Sequence, residues 1–91
     1  MKFMVTFPLT HHAYQERISR FLDSGAPPPP GVELLGRWFT ASHSRGYMLV
    51  EAEESAQLFR FVCEWNDIMD FEIDPVVTDE EAASVLKEMN Q

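Results

Sequence analysis

Arg37, Glu51 and His43 are the residues of this chain whose types and placement can do chemistry. A β-hairpin reads into Leu34–Ala52, with Leu35–Ala41 pairing Tyr47–Glu51 around the loop Ser42-His43-Ser44-Arg45-Gly46. That register sets Arg37 opposite Glu51, Trp38 opposite Val50 and Phe39 opposite Leu49, and ladders favour such opposite-charge and apolar partners. An arginine offers a forked donor that can orient a carboxylate or amide, with Glu51 or His43 as a base. The alternative is that Arg37 and Glu51 only neutralise each other inside an assembly. Tyr47 and Thr6 add hydroxyls to the same face, and Trp38 and Trp65 can line an apolar pocket or simply belong to the core. His43 lies in the loop, where functional groups concentrate.

Other chemistries find little to work with. His11, His12 and His43 are the only histidines, and no H-x-x-x-H or H-E-x-x-H spacing occurs, so neither metal nor cofactor is expected. The single cysteine, Cys63, excludes an internal disulfide and reads as a small buried hydrophobe. Four glycines leave no room for a phosphate loop or nucleophile elbow.

The elements that must position these residues belong to one domain, residues 1–91, of 91 residues in all. Hydrophobic residues make up 45% of the chain, seven of them Phe, which argues for a packed core. The net charge of −8 comes from 15 acidic against 7 basic residues. Such a surface repels phosphate backbones and anionic lipid heads, so no nucleic-acid or membrane partner is expected. No run approaches the ~18 apolar residues of a span. Met1–Val5 lacks the pattern of a signal peptide, so a cytoplasmic location is the default expectation.

Lys2–Phe7 alternates as a strand and stops at Pro8. Thr10 can cap a first helix carrying Tyr14, Ile18, Phe21 and Leu22, and Gly25 ends it. Pro27–Pro30 is a stiff connector. After the hairpin, Glu53-Glu54-Ser55 opens a second helix over about Ala56–Asn66, whose Leu58, Val62 and Trp65 share a face. Phe71–Val77 alternates as a strand that Pro75 confines to a sheet edge. Thr78-Asp79-Glu80-Glu81 is a capping box for a short last helix with Ala82, Val85, Leu86 and Met89 on one stripe.

The order β-α-β-β-α-β-α predicts an α+β, ferredoxin-like fold on a four-stranded antiparallel sheet, with the first and third strands central. Two helices would cover the face of Phe3, Val5, Phe7, Trp38, Met48, Val50, Phe71 and Ile73. The opposite face would hold Met4, Thr6, Leu35, Arg37, Phe39, Tyr47, Leu49, Glu51, Glu72 and Asp74, several of them too apolar to leave in water as one patch. Face-to-face homodimerisation would cover it, as in a dimeric α/β barrel.

The stretches Met1-Lys2-Phe3-Met4-Val5, Gly25-Ala26-Pro27-Pro28-Pro29, Leu34-Leu35-Gly36-Arg37-Trp38, Leu49-Val50-Glu51, Glu64-Trp65 and Phe71–Val77 also form a recognisable set. Together they resemble a small bacterial family of unknown function within the dimeric α/β barrel superfamily. The resemblance implies that fold. It also implies relationship to cofactor-free monooxygenases, muconolactone-type isomerases, haem-handling enzymes and proteins with no known activity, so it does not select a reaction. Where that family usually has a histidine after Gly-Arg-Trp, this chain has Phe39, so it either lacks any chemistry of that histidine or takes His43 from the loop in its place.

Three readings follow. The first is a homodimeric small-molecule-binding or accessory domain, with Arg37, Trp38, Tyr47, Glu51 and Trp65 as ligand-contacting candidates. The second is a cofactor-independent monooxygenase- or isomerase-like enzyme acting on an aromatic or polyketide-like acid, with Arg37, His43 and Glu51 as catalytic candidates. The third is a purely structural dimer. An enclosed volume of about 300 Å³ or more would mark a conventional ligand site.

Overall fold

The computed structural model describes residues 1–90. Seven elements follow in order: β1 (Lys2–Pro8), α1 (Tyr14–Ser24), β2 (Val32–Phe39), β3 (Arg45–Ala52), α2 (Ser55–Trp65), β4 (Glu72–Val76) and α3 (Asp79–Met89). They build an α+β fold around a four-stranded antiparallel sheet in the order β2-β3-β1-β4, consistent with a ferredoxin-like topology. The alternating strands β1 and β3 are central as expected, and Pro75 lies on edge strand β4, opposite Phe3 of β1.

Alternation sends Phe3, Val5 and Phe7 of β1 and Met48, Val50 and Ala52 of β3 to one face, where Leu58, Phe61 and Trp65 of α2 cover them. Those three α2 residues recur at helical spacing, which is why that stripe turns inward. Phe59 and Cys63 lie off the stripe and are exposed, so Cys63 is a surface thiol rather than a buried one. Leu22 of α1 likewise turns to solvent.

The helix ends show how local signals set boundaries. Gly25 takes a left-handed conformation (φ 72°) and its N–H donates to the Phe21 carbonyl, closing α1. Thr78 accepts from the Glu81 N–H at 3.1 Å while Glu81 accepts from the Thr78 N–H at 3.0 Å, completing the predicted capping box. Glu54 caps α2, its N–H donating to Gln57 Oε1. Thr10 does not cap α1. The helix starts three residues later than that cap would allow, behind a left-handed Ala13, and the Thr10 carbonyl instead accepts from Arg17.

The hairpin register differs from the expected one, and every face assignment in β2 follows from it. Arg37 pairs with Met48, Trp38 with Tyr47 and Phe39 with Gly46. A bulge at Leu35 separates this run from the Leu34–Val50 pair. Relative to the expected pairing Arg37 has moved three positions along β3, an odd slip that exchanges faces. Two close approaches hold the observed register. A Cβ at Gly46 would collide with the Phe7 ring, and a Cβ at Gly36 would collide with the Trp38 indole. The ladder therefore runs down to a short loop in which Thr40 Oγ1 accepts from the N–H groups of Ser44 and Arg45. Arg37 and Phe39 turn toward the helices, while Trp38 turns to the open face and stays half exposed.

The last helix is formed but contributes nothing to the core, with every residue from Ala83 to Asn90 exposed. Among the described residues no helix is long and apolar enough to cross a membrane.

Candidate functional site

Between the sheet and the two covering helices lies a half-enclosed cavity of about 80 Å³. Its floor is Phe7 of β1, Phe39 of β2 and Met48 of β3, its roof Ile18 and Phe21 of α1 with Phe61 and Trp65 of α2, and Met69 and Phe71 close one side. The aromatic rings brace one another, edge to face in three pairs and tilted in the Phe7–Phe71 pair. Phe39 meets Phe7 at 6.2 Å and Phe21 at 5.8 Å between centroids, and Phe71 meets Phe7 at 6.0 Å and Phe61 at 5.7 Å. Such pairs contribute about 0.5–1.5 kcal/mol each beyond their buried area, so the walls are stiff.

Three polar side chains reach this apolar wall: Arg17, Arg37 and His43. Arg37 enters from β2. Its Nη1 donates to the Gly25 carbonyl at 3.1 Å and Nη2 to the Ala26 carbonyl at 2.6 Å, and Cζ lies 5.5 Å from the Phe21 ring centre. Gly25 and Ala26 are both left-handed, so the chain after α1 turns its carbonyls toward β2, where the guanidinium holds them. The Arg37 Nε is buried and has no hydrogen-bond partner. Burial pushes the Arg37 guanidinium below its ordinary pKa.

Arg17 is the one buried charged residue among the described residues, 5% exposed. Its Nη1 donates to the His12 carbonyl at 2.9 Å and Nη2 to the Thr10 carbonyl at 2.6 Å, and Cζ lies 5.8 Å from the Tyr14 ring centre. Sequence reasoning missed this residue. The signal was its position: Arg17 is three residues after Tyr14 and four before Phe21, on the inward stripe of α1. His43 is held over the same region by a left-handed backbone (φ 55°), its ring 5.8 Å from Tyr14. The Leu9 N–H donates to the Ser44 carbonyl at 2.9 Å and ties this loop to the end of β1.

Of the residues singled out from sequence, Arg37, His43 and Trp65 come together at the cavity. Glu51, Trp38 and Tyr47 do not line it. Glu51 lies on the opposite side of the sheet, where its carboxylate accepts from the N-terminal ammonium at 3.1 Å and sits 3.3 Å from Lys2 Nζ. Those two cations hold the Glu51 carboxyl below its usual pKa range. The expected Arg37–Glu51 pair is therefore absent, because the register slip puts the two on different faces. Trp38 and Tyr47 are cross-strand neighbours on the open side, with Thr6 next to Tyr47. Trp65 is buried beneath Arg20, whose guanidinium lies 5.1 Å from its ring and is paired to Asp67 at 2.7 Å.

Among the described residues no group of three or more His, Cys, Asp or Glu is arranged to hold a metal ion. What the cavity can do is bind: it offers aromatic contact, two guanidinium groups and one imidazole.

No curated protein and no solved structure matches the chain. One family model does, over residues 1–90, and by that match the chain belongs to the domain-of-unknown-function family DUF3303.

Proposed function

We propose that this chain is a small-molecule-binding protein that works as a homodimer, its ligand seated in the cavity between sheet and helices. The observation that carries this reading is the cavity itself: an aromatic-walled space with a few convergent polar groups. At about 80 Å³ it is far below the ~300 Å³ of a drug-sized pocket and well above the ~10–15 Å³ that admits one water, so the ligand is compact. The dimer reading rests on the open face, where Tyr47, Leu49 and Met4 are only half covered and Trp38 and Leu35 are exposed. A second copy is the ordinary cover for such a surface on a chain this short.

Thermal melts of the full chain with single-ring and branched short-chain compounds test the binding reading. At least one should raise the melting temperature, and Ile18→Phe, which fills the cavity, should abolish the rise while the protein remains folded. No stabilisation by any of them would contradict it. Sedimentation at micromolar concentration tests the dimer, which should have about twice the 10.5 kDa chain mass.

A cofactor-independent enzymatic reading is favoured by one observation, the placement of His43 on the cavity wall. His43 would act as the base, since Glu51 faces away from any ligand bound there. A bell-shaped or single-limbed pH–rate profile that disappears in His43→Gln would support it. Binding unaccompanied by turnover would leave the binding reading alone.

A further inference from the structure

The positive charges of this chain divide in an unexpected way. On the surface, Arg20 pairs with Asp67 and Glu16, Arg60 with Glu64, and Lys2 with Glu51, while Arg45 and Lys87 are exposed and left to water. Arg17 and Arg37, the two cations that line the cavity, have no carboxylate partner among the described residues. This happens in a chain with 15 acidic residues against 7 basic ones, where a carboxylate is the commonest charged neighbour available. Their donors go to backbone carbonyls instead, which satisfy hydrogen bonds but leave both formal charges uncompensated.

We propose that the ligand of this cavity is a compact monocarboxylic acid, its carboxylate held by Arg37 with Arg17 adding positive potential, and its apolar part among Phe7, Phe39, Met48 and Phe61. This inference rests on the small-molecule-binding reading and names the chemistry of the ligand. Three features select that chemistry. Arg37 Nε is buried without a partner, so the guanidinium keeps one donor that no protein acceptor satisfies and that an anion could take once the side chain shifts to expose it. Burial already disfavours the lone cation, and an anion beside it would restore what desolvation removes. The rest of the lining is apolar, which suits a small hydrocarbon tail and offers a phosphate dianion few of the donors it requires.

The net charge of −8 works against anions everywhere else on the molecule, so any preference for the charged form must come from this pair. Titration calorimetry on the full chain with 2-methylpropanoate and benzoate, each against its neutral amide and against inorganic phosphate, is the test. At least one acid should bind ten-fold or more tightly than its amide, and inorganic phosphate should not displace it. In Arg37→Met the preference should vanish, with the amide binding as before. Because Arg37 also holds the Gly25–Ala26 turn, Arg37→Lys serves as a second variant. It should stay folded and lose most of the acid preference, since lysine lacks the forked donor.

Acid and amide binding equally in the wild type would overturn the inference and leave the small-molecule reading standing. Displacement by phosphate would overturn the assignment to carboxylates. Binding of neither acid nor amide would remove the cavity as a ligand site and both readings with it.

Discussion

On the helix-covered side of the sheet, Arg17 and Arg37 sit among rings and backbone carbonyls with no counter-ion among the described residues, whereas on the open side Glu51 is shared by Lys2 and the N-terminal ammonium. The same strands supply both sides. Met48 faces the cavity and its neighbour Leu49 faces out, as Phe7 and Thr6 do on β1. The covered side carries the packed core but is unbalanced in charge. The open side is balanced in charge but leaves Trp38 and Leu35 to solvent. Under the proposals above each side would take a different kind of partner: an anion for one, an apolar surface for the other.

The contrast breaks most visibly on the covered side. Phe7→Ala removes a ring that touches Phe39 and Phe71 and packs over Gly46, and it should cost about 3–5 kcal/mol, read as a fall of ten or more degrees in the melting temperature. Leu49→Ala, on the other side of the same sheet, should cost under about 1 kcal/mol in dilute monomer. Equal losses would mean that the two sides are packed alike.

Arg37→Met comes next. It leaves the Gly25 and Ala26 carbonyls without their charged donor, and a loss of about 2 kcal/mol in chemical denaturation is expected, nearly all of it present in the single-copy state. Leu49→Glu should do the opposite. It should leave that stability within about 1 kcal/mol while weakening self-association enough for sedimentation to give the single-chain mass.

These contrasts follow residues whose side of the sheet could not be read from the sequence. The topology was legible: Phe3-Val5-Phe7 alternation, Gly25, the Thr78–Glu81 box and Pro75 are local signals, and each acts where it stands. The hairpin register was not, because what sets it is tertiary. Phe7 needs the bare backbone of Gly46 and Trp38 that of Gly36, and the Leu35 bulge resets the alternation between them. One wrong register then misplaced a set of residues together, sending Trp38 to the core and Arg37 and Phe39 to the open face. At the candidate site Arg37, His43 and Trp65 were visible as residue types, but Arg17 was hidden because a charge on an apolar stripe reads as solvated.

The smallest expected effect concerns acid stability on the open side. Glu51 has its folded-state pKa depressed by the N-terminus and Lys2, so its contribution is present above its unfolded value near 4.5 and fades as the pH falls through the lower folded value. Glu51→Gln should flatten the acid limb of the melting profile slightly and leave the neutral region nearly unchanged. A steeper acid limb in the variant would contradict the assigned pairing.

Methionine methyl NMR addresses both sides at once, because Met48 and Met69 line the cavity while Met4 lies on the open face. Titrating 2-methylpropanoate at constant protein concentration should move the Met48 and Met69 signals and leave Met4 in place. Diluting the protein without the acid should move Met4 and leave the other two. An acid that shifts Met4 while Met48 and Met69 stay fixed would contradict the account.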